Sequence, residues 1–146
     1  MNTKGVVVAV SVSLKKGMRK TNVDRVELKT DFGIVGDAHA GTEKRQVSLL
    51  AKESIEKMRA KGLDVVPGNF AENITTEGID LAGLSIGSKL KIGSDVLMEV
   101  SQIGKECHKR CGIYYQAGDC VMPREGIFAR VLKGGIIKPK DEVNVC

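Results

Sequence analysis

The segment KECHKRCGIYYQAGDC, residues 105–120, gathers three of the chain's four cysteines, one of its two histidines and three basic side chains. Three chemistries suit such a cluster: a disulfide staple, a zinc site and a reactive thiol. Zinc accepts Cys107, His108, Cys111 and Cys120 as ligand types. However, structural zinc sites usually arrive as two short knuckles. Here a C-x3-C pair is followed by a single cysteine after eight residues, and His108 adjoins Cys107, which makes joint tetrahedral ligation awkward. A thiol is nucleophilic as its thiolate, which nearby positive charge favours. Cys111 directly follows Lys109 and Arg110 and precedes Gly112, whose missing side chain lets a ligand approach the backbone. Cys107 lies between Lys105 and His108 in the same run, whereas Cys120, after Asp119, reads as a small packed residue.

The elements that must position this segment are readable in outline. At 146 residues, the chain is expected to form one domain over residues 1–146 and to bury roughly two-thirds of its unfolded surface. Trp is absent and aromatics make up 3% of residues, so branched aliphatics must build the core. Seventeen glycines point to many tight turns between short strands. From Pro67 onward, glycines at 78, 83, 87, 93 and 104 punctuate short apolar runs, a rhythm that a closed or nearly closed β-barrel produces. Gly5–Ser13 is expected as a buried strand, residues 25–29 as an exposed edge strand, Asp31–Gly41 as a structured loop and residues 141–145 as a closing strand. Two helices are expected. One runs from Gln46 to Lys61, with Val47, Ala51, Ile55 and Met58 on one face and Gly62 as its stop. The other opens at Pro123 and pairs Ile127 with Val131 and Phe128 with Leu132 before Gly134 and Gly135.

An excess of 23 basic over 18 acidic residues gives a net charge of +5. The basic residues are scattered and only five aromatics accompany them, which disfavours a nucleic-acid surface and suits a small anionic ligand or an acidic protein patch. Val6–Val12 is too short for the apolar core of a signal peptide, and no run could span a bilayer. A cytoplasmic location without membrane or nucleic-acid partners is therefore expected, and reduced thiols there disfavour the disulfide.

Several blocks in this order resemble the MOSC domain, the family named for the C-terminal domain of molybdenum cofactor sulfurases. They are GIVGDAHAG with RQVSLL (33–50), PGNFAENITTEGIDLAGLSIGSKLKIG (67–93), HKRCGIYYQAGDCVMPREGIFARVL (108–132) and KPKDEV (138–143). The resemblance covers nearly the whole chain and matches the small, free-standing members. It implies a mainly β, barrel-like fold (pyruvate-kinase-β-barrel-like) with a few short helices, in which one cysteine faces a pocket. The position matching that cysteine is Cys111, as persulfide acceptor or molybdenum ligand, with Cys107 as a resolving or second sulfur site. The implied cofactor is the molybdenum cofactor, molybdopterin. Its anionic phosphate and dithiolene suit Arg45, Lys109, Arg110 and Arg124, with Arg130 behind them. His39 is a candidate proton donor or a loop-capping residue. Asn73, after Glu72, is a candidate pterin partner or a turn residue. Pyridoxal phosphate is expected only on a partner, a cysteine desulfurase, since the chain carries no such domain; a molybdoenzyme is the other expected partner. Two alternatives stay open: a molybdenum-dependent reductase subunit for N-hydroxylated compounds, and a zinc- or other metal-binding regulatory module.

Overall fold

The computed structural model describes residues 3–15, 19–42, 45–104 and 125–146. The described elements are β1 (Lys4–Val12), β2 (Thr21–Val23), β3 (Val26–Lys29), β4 (Gly33–Ile34), β5 (Val47–Ala51), α1 (Lys52–Ala60), β6 (Ile74–Glu77), β7 (Lys89–Ile92), β8 (Val96–Ile103), β9 (Ile127–Lys133), β10 (Gly135–Ile137) and β11 (Glu142–Val145). The larger sheet runs β11-β7-β8-β9-β5-β6-β1-β2, and β11 also pairs with β1. All of its strands except β2 therefore close into a seven-stranded barrel, as the glycine rhythm predicts. Closure removes the unpaired edges that an open sheet would expose.

Most barrel neighbours are antiparallel, but β5 and β6 run parallel, with Leu49 opposite Ile74. A parallel pair needs a long crossover. Helix α1 and the loop from Lys61 to Asn73 supply it. Gly62 ends the helix as expected: its φ is +93° and its N–H donates to the Arg59 carbonyl. The described residues contain this one complete helix, where the sequence suggests two.

Two expected helical stretches are strands. Val47–Ala51 is β5, and the helix begins only at Lys52. Ile127–Lys133 is β9, paired with both β5 and β8. The reason lies in how these strands are covered. Leu49 belongs to the large core that fills the barrel, while its neighbour Leu50 belongs to a second core with Ile55, Met58, Val65, Phe70 and Phe128. Likewise Ile127 and Ala129 face the first core and Phe128 the second. A strand buried on both faces loses its polar–apolar alternation. Its consecutive apolar residues then imitate i, i+4 helical pairs.

A smaller sheet, β10-β3-β4, adds Val26, Leu28, Ile34 and Ile137 to the large core. Strand β3 alternates as the sequence predicts, with Val26 and Leu28 buried and Glu27 and Lys29 exposed. It is the central strand of this sheet, however, and not an edge. Its inner position depends on β10, more than 100 residues later in the chain.

Candidate functional site

The loop that follows β1 and the loop DAHA (37–40) meet around a buried ion pair. Lys20 Nζ lies 2.8 Å from Asp37 Oδ1, with both side chains fully out of solvent. The ammonium also donates to Ser13 Oγ at 3.0 Å and lies 3.1 Å from His39 Nδ1. Asp37 further accepts the Ser13 backbone N–H on Oδ1 and the His39 backbone N–H on Oδ2. Burial by itself raises the Asp37 carboxyl's pKa. The Lys20 ammonium and the backbone N–H groups of Ser13 and His39 outweigh it and hold the carboxyl well below the usual carboxylate range. His39 reaches the surface, with 17% of its side chain exposed.

Lys20 is held there by its backbone. Its N–H donates to the Gly68 carbonyl at 2.8 Å, and a Cβ on Gly68 would meet the Lys20 carbonyl oxygen at 2.5 Å. Gly68 also has φ +97°, a conformation that glycine adopts without strain. Sequence reasoning missed both Lys20 and Asp37. Asp37 stands in the conspicuous GDAHAG block, but nothing in the sequence separates Lys20 from the other basic residues.

A polar strip continues beneath the 66–73 loop. Asn73 is fully buried. Its Nδ2 donates to the Ser11 carbonyl, and its Oδ1 accepts from the Ser48 N–H and hydroxyl. Asn73 thus ties β1 to β5 at the start of β6. Glu72, also fully buried, accepts the Gly68 N–H and the Thr75 hydroxyl on Oε2 and the Phe70 N–H on Oε1. Burial pushes its pKa up, and these hydrogen bonds offset only part of that.

Arg45 marks a second place. Its Nε donates to Gln102 Oε1 at 3.2 Å, and its guanidinium lies 5.3 Å from the centroid of the Phe128 ring. Gln102 and Phe128 face each other across β8 and β9. One residue further, Ile103 pairs with Ile127, and the Gly104 N–H donates to the Gly126 carbonyl at 2.6 Å. These contacts form the neck of the 105–124 segment, so Arg45 stands at the base of the segment that carries Cys111. Cys107, His108, Lys109, Arg110, Cys111, Cys120 and Arg124 themselves lie outside the described residues. Arg130 sits on β9, with its Nε 3.9 Å from Asp31 Oδ1, an exposed pair of little energetic weight.

Among the described residues, no hydrogen bond, ion pair or ring contact joins His39, Arg45 and Asn73 directly. They are joined in relay: His39 to Lys20, Lys20 to Gly68, Gly68 through Glu72 to Asn73, Asn73 to Ser48, and Ser48 opposite the Phe128 on which Arg45 rests. A cleft of about 240 Å³ lies elsewhere, between α1 and the turn after β6, and holds none of these residues. Its carboxylates are engaged: Glu125 accepts from Ser54 and Lys57, Glu53 from the Gly78 N–H and Asp80 from the Gly83 N–H. Among the described residues, no group of three or more His, Cys, Asp or Glu side chains could hold a metal ion, and no helix is long and apolar enough to cross a membrane.

Comparison with known families matches residues 36–144 to the MOSC domain. No curated protein matches the chain. Among solved structures, the chain is similar to the YuaD protein from Bacillus subtilis, with a TM-score of 0.84 at 17% identity, over 99% of this chain and 97% of that one. It is similar to YiiM from Escherichia coli, with a TM-score of 0.68 at 20% identity, over 98% of this chain and 69% of that one. YiiM from Geobacillus stearothermophilus gives a TM-score of 0.66 at 21% identity, over 97% of this chain and 73% of that one. At such identities these likenesses establish the fold.

Proposed function

Since the chain belongs to the MOSC domain family, which is associated with molybdenum-cofactor binding or sulfuration, we propose that it binds the molybdenum cofactor and carries sulfur or metal for it on Cys111. The observation that supports this most is the place of Arg45 at the neck of the segment that bears Cys111. Among the described residues only Nε of the Arg45 guanidinium has a hydrogen-bond partner, Gln102, so its Nη groups remain for a ligand. His39 adds a second surface group backed by a buried cation. Arginine and histidine N–H groups of this kind fit an anionic pterin phosphate through charge-assisted or dipolar hydrogen bonds.

In this reading, Arg45 holds the phosphate with Lys109, Arg110 and Arg124, and Asn73 acts by fixing the loop that carries Glu72. Cys111 takes sulfane sulfur from a partner cysteine desulfurase or ligates the metal, and Cys107 is the second sulfur site. The cofactor, when bound, supplies a molybdenum centre for oxygen- or sulfur-atom chemistry. A molybdoenzyme is the recipient partner, and the cytoplasm, where thiols stay reduced, is the proposed setting.

The test is elemental and sulfur analysis of the protein purified from cofactor-replete cells. Wild type is expected to carry molybdenum or cyanide-labile sulfur that Cys111→Ser loses. If wild type carries neither, or if Cys111→Ser retains what wild type carries, the proposal fails.

A further inference from the structure

Among the described residues, His39 Nδ1 has two polar side-chain neighbours, and they make opposite demands. Asp37 Oδ2, 3.6 Å away, would accept a proton from it, but at a distance too long for a good hydrogen bond. Lys20 Nζ, at 3.1 Å, is within hydrogen-bond reach. An ammonium has three N–H donors and no acceptor. The three here have three partners: Ser13 Oγ at 3.0 Å, Asp37 Oδ1 at 2.8 Å and His39 Nδ1. A proton on Nδ1 would set two donors against each other at 3.1 Å in a site where the Lys20 and Asp37 side chains have no solvent exposure. Asp37 does not need that proton, because it already accepts from Lys20 and from the backbone N–H groups of Ser13 and His39.

We infer that Lys20 is a positioning residue that fixes His39 as the Nε2–H tautomer, so that His39 presents a fixed hydrogen-bond donor to an oxyanion. Nε2 has no partner among the described residues, and the side chain keeps 17% of its surface exposed. The charges of Lys20 and Asp37 cancel behind the ring, so an incoming anion meets a donor without a net negative charge at its back. The ring therefore serves as a dipolar anchor rather than as a base, because the nitrogen that faces the ligand already bears its proton. The ligand class is a terminal oxyanion. The phosphate of a pterin and an oxo-molybdenum group share that chemistry, and only this choice of ligand rests on the cofactor reading above.

Imidazole ¹⁵N–¹H correlation spectra of the ligand-free protein at pH 7.5 test the tautomer independently of any cofactor, with the second ring assigned through His108→Gln. The expected pattern for His39 is a pyrrole-type Nε2 and a pyridine-type Nδ1. A proton on Nδ1, alone or together with Nε2, overturns the inference. Lys20→Met, once its folded spectrum is verified, is expected to shift the ring toward the Nδ1–H form facing Asp37, and an unchanged ring would remove the role assigned to Lys20. Should that variant not fold, the wild-type spectrum decides.

Inorganic phosphate and molybdate are then titrated in parallel. A shift of the His39 Nε2 proton with either supports the donor role, and the tighter ion identifies the group. His39→Phe is expected to bind about tenfold more weakly, and His39→Gln, which retains an N–H, to recover most of the loss. No response to either ion would overturn the oxyanion assignment while leaving the Cys111 test untouched.

Discussion

Lys20 and Asp37 form an ion pair with no exposed side-chain surface, and they stand 17 positions apart in the chain. Removing one partner of such a pair leaves an uncompensated charge in the interior, which costs more than the pair contributes. Lys20→Met is therefore expected to lower unfolding free energy by about 3–5 kcal/mol. Lys20→Met with Asp37→Asn should recover a large part of that loss. Urea melts of the two variants check this, and equal losses in both would remove the ion pair as the cause.

The same carboxyl governs acid behaviour. Because Asp37 is held below its ordinary value of 3.8, the folded state binds fewer protons there than the unfolded chain does. Its contribution to stability is fully present above that value and is lost as pH falls through the folded pKa. Glu72 has the opposite sign. Its pKa is raised above the ordinary 4.5, so the stability it contributes is fully present below 4.5 and is lost as pH rises. Thermal melts across a range of about pH 2.5–7.5 should therefore show a falling acid limb that flattens in Asp37→Asn.

Glu72 offers a sharper chemical test. Both of its oxygens accept backbone N–H groups, from Gly68 and Phe70. A glutamine has one acceptor oxygen and would turn its NH₂ toward the other N–H. The isosteric change Glu72→Gln is expected to cost about 1–3 kcal/mol. A variant as stable as wild type would show that the two N–H groups find other acceptors. Thr75 is the one partner that can reverse, since its hydroxyl can accept from the protonated acid.

Gly68→Ala meets two obstacles at once, the left-handed φ of +97° and the Lys20 carbonyl at 2.5 Å. We expect a loss of about 2 kcal/mol or more. Because Gly68 also accepts the Lys20 N–H, the His39 ring signals should move as well. Destabilisation without any change at His39 would separate the loop from the site.

Part of the site is legible in the amino-acid sequence. His39 and the GDAHAG loop stand out by residue type. Arg45 reads as a candidate cation, but its place at the neck of the 105–124 segment depends on the pairing of β8 with β9. Lys20 does not stand out, because burial is a property of the packed chain and its ammonium becomes special only when Ser13, Asp37 and His39 surround it. The buried polar strip of Ser11, Ser48, Glu72 and Asn73 is hidden for the same reason.

By itself the sequence determined the class of fold, because glycine spacing and short apolar runs are local and survive without a partner. It determined where α1 stops, since Gly62 acts through its own backbone. Tertiary structure alone decided that Leu49 and Leu50 face different cores, and hence that β5 and β9 are strands. Helical and two-sided strand patterns of consecutive apolar residues are indistinguishable along the chain. They separate only when a second layer, here α1 and Phe70, covers the outer face of the barrel.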